Sequence, residues 1–314
     1  MQVRELAEAA SILKSMDDIL IVSHVNPDGD TLGSALALCY ALRKMGKRAN
    51  VNKDPQMALR FDFLFEQYIP QVFEPKFIVS VDVPSDQTLP EGFLRVDLCI
   101  DHHKVNSVSS AQKLVWPEAA ATGEIIFDLI RELKIESDEQ IAICLYTSIA
   151  TDTGCFRYRN TTARSHEVAA ALMSTKADFA DVNRRMFELE TFAEFELKKQ
   201  ILSGIELFYD GKLAVTAITK KMLLDLGITE SQVHQGLASE SIRIEGVKVG
   251  VLLKERENGV RVSFRTVGCD ATKIASHWGG GGHAGASGCF IEKPLQEAKE
   301  EVIKKLGDMG FCND

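Results

Sequence analysis

The chain has no excess of basic residues. Its 36 Lys and Arg stand against 45 Asp and Glu, giving a net charge of −9. A protein that grips long duplexes through a broad phosphate footprint is normally basic, so this balance argues against long nucleic acid as the main ligand. A short phosphorylated ligand stays open, because metal ions can supply positive charge locally. The seven cysteines, Cys39, Cys99, Cys144, Cys155, Cys269, Cys289 and Cys312, form no CxxC pair and are odd in number. That usage leads us to expect reduced core thiols in a cytoplasmic protein. No stretch reaches the ~18 consecutive apolar residues of a membrane span. The opening Met1-Gln2-Val3-Arg4-Glu5-Leu6 lacks the basic and then apolar regions of a secretion signal. The expectation is a soluble, cytoplasmic protein with no membrane partner. There is no internal repeat, and the one low-complexity tract is a glycine cluster at residues 279–288.

What is present is alternation. The 314 residues suit two domains of ordinary size. Short apolar runs at 19–23, 48–52, 77–83 and 96–100 read as strands, and helical patterns at 31–45, 120–133 and 138–150 lie between and after them. Continuous apolar runs suggest a parallel sheet covered on both faces. A helical stretch at 192–205 leads to further strands at 213–218, 249–254, 260–265 and 289–291 and a final helix. The fold class expected is α/β: a parallel-sheet N-terminal domain over residues 1–190, a helical linker at 191–209, and a smaller C-terminal α/β domain over 210–314.

Four segments carry candidate chemistry, each at the end of an element. His24, Asp28 and Asp30 follow the first strand around the turn Asn26-Pro27-Asp28-Gly29. Asp28 shapes that turn or binds an ion, and Asp30 caps the next helix or binds an ion. Two aspartates at one helix start repel each other unless a cation is present. Asp82 ends the run Val79-Ser80-Val81 ahead of Pro84; it is a turn former or a carboxylate that needs a partner when buried. Asp101-His102-His103 ends the fourth run, and its adjacent histidines point in different directions. Asp152 sits in Thr151-Asp152-Thr153-Gly154, a helix end closed by glycine or a further ligand. Imidazole and carboxylate oxygen together are the donors of a divalent-metal site. In the C-terminal half, the glycines let backbone amides approach a phosphate closely, His283 and Ser287 add donors, and Arg265 ends a strand just upstream. His166, His234 and His277 fit no such pattern and are expected to pack, while Arg157 and Tyr158 follow the fourth segment closely enough to line a substrate channel.

In this order and spacing the four segments resemble the motifs of the DHH phosphoesterase family, and Gly279-Gly280-Gly281-Gly282-His283-Ala284-Gly285-Ala286-Ser287-Gly288 is similar to the signature of the DHHA1 substrate-binding domain. The resemblance spans nearly the whole chain and is closest to the family's stand-alone oligoribonucleases and phosphatases. It implies two divalent ions, usually manganese, that activate a water for in-line attack on phosphorus. His24 and Asp28 would hold one ion, Asp30, His102 and Asp152 the other, and Asp82 would bridge them. His103 would contact the scissile phosphate and help protonate the leaving group, with Asp101 orienting a histidine or the loop. Arg265, Gly281, Gly282, His283 and Ser287 would bind substrate. The implied substrates are short RNA, cut from an end to mononucleotides, and 3′-phosphoadenosine 5′-phosphate (pAp), converted to AMP. The alternatives are linear or cyclic dinucleotides, such as pApA or cyclic di-AMP, and a non-catalytic nucleotide sensor. A sensor would be expected to have lost a ligand, and none of the six is missing. Relatives pair through the N-terminal domain, so a homodimer is the expectation by analogy.

Overall fold

The computed structural model describes residues 2–54, 57–93, 95–229, 233 and 235–310. The chain divides into two compact units between Leu189 and Glu190.

In the first unit, α1 (Gln2–Ser15) precedes β1 (Ile19–Val22), α2 (Gly29–Lys44), β2 (Ala49–Val51), β3 (Phe77–Val81), β4 (Val96–Asp101) and β5 (Ser110–Val115). Then come α3 (Thr122–Glu132), α4 (Glu139–Asp152), α5 (Ala163–Leu172) and α6 (Phe179–Asn183). The sheet order is β2-β1-β3-β4-β5, and every pairing is parallel. Alternate residues of the strands, such as Ile19, Ile21, Val79, Val81, Leu98 and Ile100, share one core with the apolar sides of α1 to α4. The other face carries a smaller cluster of Val22, Val83, Leu89, Val96, Cys99 and Val108. That face is therefore covered by loops, where the sequence suggested a sheet wrapped on both sides. The edge strand β5 was not read from the sequence, because its middle residues, Ala111, Gln112 and Lys113, are exposed and give no apolar run.

Helices α2 and α4 approach very closely. A Cβ at Gly33 would lie 2.3 Å from the Cys144 carbonyl oxygen, so a larger residue there would push the two helices apart. The contact brings the N-terminal turn of α2 against the C-terminal half of α4, and so puts Asp30 beside Ser148.

The second unit contains α7 (Phe192–Ser203), β6 (Glu206–Phe208), β7 (Leu213–Ile218), α8 (Lys220–Leu226), β8 (Val249–Arg256), β9 (Gly259–Thr266), α9 (Ala271–Ala275), β10 (Gly281–His283), β11 (Ala286–Ile291) and α10 (Leu295–Asp308). Its sheet order is β10-β11-β9-β8-β7-β6, with β7 and β8 parallel and the remaining pairs antiparallel. One face packs on α9 and α10, and α7 and α8 cover part of the other. The glycine cluster is not a free loop. It forms the β10–β11 hairpin, with Gly282 paired to Ser287 and His283 to Ala286. Gly282 has φ +143, and a Cβ there would sit 2.6 Å from the Ala286 carbonyl oxygen.

Cys39, Cys99, Cys144, Cys155 and Cys289 are free, whereas Cys269 is disulfide-bonded, contrary to the expectation of reduced thiols throughout. A cysteine outside a CxxC carries no local mark of pairing. Among the described residues no helix is long and apolar enough to cross a membrane.

Candidate metal centre

Parallel sheets place ligands beyond the carboxyl ends of their strands, and the candidate residues gather there. His24 lies two residues beyond β1, Asp82 directly after β3, Asp101 at the end of β4 with His102 and His103 following, and Asp152 at the end of α4. Asp28 is the N-cap of α2 and accepts from the Asp30 and Thr31 amides at 3.0 and 3.2 Å. The helix thus starts two residues earlier than the sequence suggests, with Asp28 as its cap. Asp30 is left free of that duty and points into the interior.

The two histidines nearest the acids are oriented alike. His24 Nδ1 lies 2.9 Å from the Val25 carbonyl oxygen and His102 Nδ1 lies 3.0 Å from that of Ala119. A carbonyl only accepts, so Nδ1 carries a proton in each ring and Nε2 is the atom that faces the carboxylates. His24 Nε2 is 3.9 Å from Asp28 Oδ1 and 3.7 Å from Asp82 Oδ2. His102 Nε2 is 3.7 Å from Asp30 Oδ2, 3.5 Å from Asp82 Oδ1 and 3.3 Å from Asp152 Oδ2. These separations exceed an ordinary hydrogen bond. Ligand atoms on one ion with bonds of about 2.1 Å stand about 3.0 to 3.4 Å apart, only slightly closer than is seen here. Donor atoms of His24, Asp28 and Asp82 lie within 4.8 Å of one another, and so do those of Asp30, His102 and Asp152. Asp82 turns one oxygen to each histidine.

Electrostatics gives a second test of the donor set. Burial first, and then the charges of Asp30, Asp28 and Asp152, hold Asp82 well above the usual carboxylate range. Burial and Asp152 raise Asp30 to about 7, and the same causes raise Asp28. Burial alone would lower His102, but Asp152 and Asp30 overcome it and raise the ring to about 10. Three convergent carboxylates, Asp28, Asp30 and Asp82, that resist ionisation in the protein alone are a site whose ionised form calls for cations. Donor types, spacing and charge therefore fit divalent ions.

The scaffold around the acids is equally specific. Asp30 Oδ2 accepts from the Thr122 amide at 2.8 Å and Oδ1 from that of Gly123 at 3.2 Å, both at the start of α3. Ser34 and Ser148 hydroxyls also donate to Oδ1. Thr122 Oγ1 donates to Asp82 Oδ1 at 2.9 Å. Asp82 itself has φ +60, a conformation rare outside glycine and found at functional sites. After Asp152 the chain runs through three left-handed residues, Gly154, Cys155 and Phe156. Asn160 Nδ2 donates to the Asp152 and Ala120 carbonyls at 3.0 and 3.1 Å, bracing that turn. Sequence reasoning missed Thr122, Ser148 and Asn160. A hydroxyl or amide that acts across scores of residues leaves no local pattern.

His103 behaves differently from His102. Its Nδ1 lies 2.8 Å from Asp101 Oδ1, and Asn106 Nδ2 donates to Asp101 Oδ2 at 2.7 Å. Burial would raise Asp101, but the bonds from His103 and Asn106 hold it below the usual range. Asp101 is buried while the His103 side chain keeps 34% of its exposure, leaving Nε2 open to a ligand. Arg157 Nε donates to the Gly154 carbonyl and the Tyr158 ring packs against Gly154, so both also brace the 154–156 turn.

In the second unit, Arg265 lies on β9 opposite Ala286 of β11 and Gly250 of β8. Gly281 and Gly282 are exposed on β10. The backbone of His283 completes that strand, while its side chain, like the whole of His234, lies outside the described residues. Ser287 does not join Arg265. It is buried on the opposite face and its hydroxyl donates to the Ala271 carbonyl. The two-residue period of the strand turns it inward, a register that the glycine run concealed. His166 stacks on Phe156 and His277 meets Trp278 edge-on.

Comparison with known proteins gives the same division. The DHH family, N-terminal domain, matches residues 18–149, and the DHHA1 domain matches residues 211–309. The chain is 36% identical to the bifunctional oligoribonuclease and PAP phosphatase NrnA of Thermus thermophilus, over 95% of this chain and 92% of that protein. This chain belongs to the DHH family, in its NrnA-type branch. The DHH chain is also 27% identical to the protein of the same name from Bacillus subtilis, over 88% of this chain and 90% of that one. Its fold matches the crystal structure of an exopolyphosphatase-related protein from Bacteroides fragilis, with a TM-score of 0.86 and 24% identity over 98% of this chain and 97% of the other.

Proposed function

We propose that this chain is a phosphoesterase that hydrolyses short oligoribonucleotides to mononucleotides and pAp to AMP, using two divalent ions, manganese by resemblance. The observation that carries the reading is Asp82, which turns its two oxygens to His24 Nε2 and His102 Nε2 at 3.7 and 3.5 Å. His24 and Asp28 would hold one ion, Asp30, His102 and Asp152 the other, and Asp82 would serve both. When bound, such ions would supply positive charge for the phosphate and would lower the pKa of a water toward neutrality.

The rest is done by the chain's own groups. The Val25 and Ala119 carbonyls fix both metal-facing imidazoles in one tautomer. The Thr122 and Gly123 amides hold Asp30, and the Thr122 hydroxyl holds Asp82. Asp101 accepts a hydrogen bond from His103 Nδ1 and so orients the ring, whose Nε2 would contact the phosphate and help protonate the departing oxygen. No covalent intermediate is needed. Arg265 and the backbone of Gly281, Gly282 and His283 take the terminal phosphate, with a guanidinium suited to bidentate contact. The division of labour follows the expected domains, 1–190 for chemistry and 210–314 for substrate, with 191–209 joining them. The NrnA proteins from Thermus thermophilus and Bacillus subtilis are named for both activities, which supports the pairing of substrates.

The test is a turnover panel with added manganese: pAp, di- to pentaribonucleotides, pApA and cyclic di-AMP. Release of AMP from pAp and of mononucleotides from the oligomers is expected. Turnover of the dinucleotide pair alone would replace the proposed substrates, and no turnover of any would refute the enzyme reading.

A further inference from the structure

The sheet of the second unit continues past Arg265 in a way that the proposed function does not use. Residues directly opposite one another on antiparallel strands share a face. Along β9 that face carries Arg265, Ser263 and Arg261 in turn, with Val262 and Phe264 pointing into the core. Their neighbours on β11 are Ala286, Gly288 and Phe290. On β8, Lys254 stands opposite Arg261. The result is a floor of small residues, Ser263, Gly288 and Ala286, with Arg265 at one end. At the other end is the cross-strand row Phe290-Arg261-Lys254. The two arginines are four residues apart, about 13 Å along the strand.

That far row is unusual for a solvent face. Phe290 is 45% exposed, and its ring reaches over the glycine at 259, whose Cβ position would be 3.0 Å from Phe290 Cζ. Lys254 and Arg261 are like charges directly opposite, a destabilising pair, and among the described residues neither forms an ion pair. Burial and the Arg261 charge lower Lys254. The chain as a whole is acidic, so this is a local reversal of sign beside an exposed aromatic ring. Single-stranded nucleic acid is bound by that combination, a cationic track for the backbone and an aromatic ring for a base.

We propose that Phe290, Arg261 and Lys254 form a second contact zone for single-stranded RNA, stacking a base and binding a phosphodiester beyond the terminal nucleotide held at Arg265. The inference rests on the oligoribonucleotide reading above and extends it: longer oligomers engage the far row and pAp does not reach it.

The probe is a fluorescently labelled pentaribonucleotide, with binding read by anisotropy and turnover measured in parallel against pAp. Phe290→Ala is expected to weaken pentamer binding about fivefold or more, with Phe290→Tyr retaining it. Arg261→Ala is expected to weaken binding comparably and to lower the slope of log K against log salt by about 0.7, one phosphate contact on a single strand; Phe290→Ala should leave that slope in place. In turnover, the rise in KM grows with substrate length, largest for the pentamer and smallest for pAp. Unchanged pentamer affinity in both alanine variants overturns the inference, as does a loss of equal size for pentamer and pAp. The outcomes separate from those of the function itself: a wild-type protein that turns over neither substrate refutes the activity, while the binding arm still judges the contact zone.

Discussion

The two units solve opposite electrostatic problems. In the first, four carboxylates converge at a strand edge, Asp30 and Asp82 are buried, and the backbone at Asp82 and at 154–156 is strained. In the second, the candidate surface is the part of the sheet face that α7 and α8 leave uncovered, with small residues, arginines and an exposed ring. A buried acidic cluster is rigid, expensive and demanding of cations. An exposed cationic face is tolerant, and it suits a ligand that varies in length. The contrast teaches that the proposed chemistry and the proposed substrate contacts call for different dielectric surroundings, and that the two sheets offer one of each.

Asp82→Ala should give the largest effect. Removing the shared carboxylate is expected to lower kcat by about three orders of magnitude or more, since metal charge stabilisation is worth several kcal/mol. The metal-free protein should melt no lower than wild type near neutral pH, because the lost group is a buried carboxyl whose ionisation is opposed by burial and by Asp30, Asp28 and Asp152. Retained activity would break the contrast at its strongest point. Asp101→Asn comes next, with kcat about 10- to 100-fold lower and KM nearly unchanged, the usual scale for a group that orients a reacting one. An equal rise in KM would mean that His103 serves binding alone.

Arg265→Ala is expected to raise KM about 10-fold or more for every phosphorylated substrate, with Arg265→Lys rescuing only part, because the ammonium lacks the planar fork. Full rescue by lysine would reduce the residue to a point charge. The smallest effect is thermal. Burial and neighbouring acids raise Asp30 to about 7 and Asp82 well above its ordinary value. A carboxyl raised on folding favours the folded state below its unfolded value near 4, and that contribution is lost as pH climbs through the folded value. The metal-free Tm should therefore fall from these groups as pH rises from about 4 to 7. Manganese needs the ionised acids, so its stabilisation should grow over the same range. At saturating metal a gain of about 5 to 10 °C is expected near pH 8, and less near pH 5. A gain independent of pH would sever the link between the buried acids and the ion.

Much of the first unit was legible because its candidate ligands directly follow apolar runs or close a helix, so His24, Asp82, His102 and Asp152 mark element ends in the sequence itself. The roles within Asp101-His102-His103 came from family resemblance, and the Nδ1 partners Asp101 and Ala119 show how the two rings differ. What stayed hidden was non-local or non-apolar. Ser148 reaches Asp30 from 118 residues away. Strand β5 has exposed middle residues, and the glycine hairpin has almost no side chains from which a two-residue period could be read. The inward turn of Ser287 followed from that same silence. Phe290 and Arg261 were passed over because neither resembles a motif; only strand register brings them together.

Asp30 has a wider consequence. Its carboxylate receives the first amides of α3, a hydroxyl from α4 and a hydroxyl from its own helix. One side chain is thus both part of the candidate metal centre and the fastening of three helices. On the proposed reading, loading an ion and tightening the helical layer would be a single event, so a chelator should act on this protein as a mild denaturant, and a mutation that loosens the helices far from the acids should first be noticed as a weakened affinity for metal.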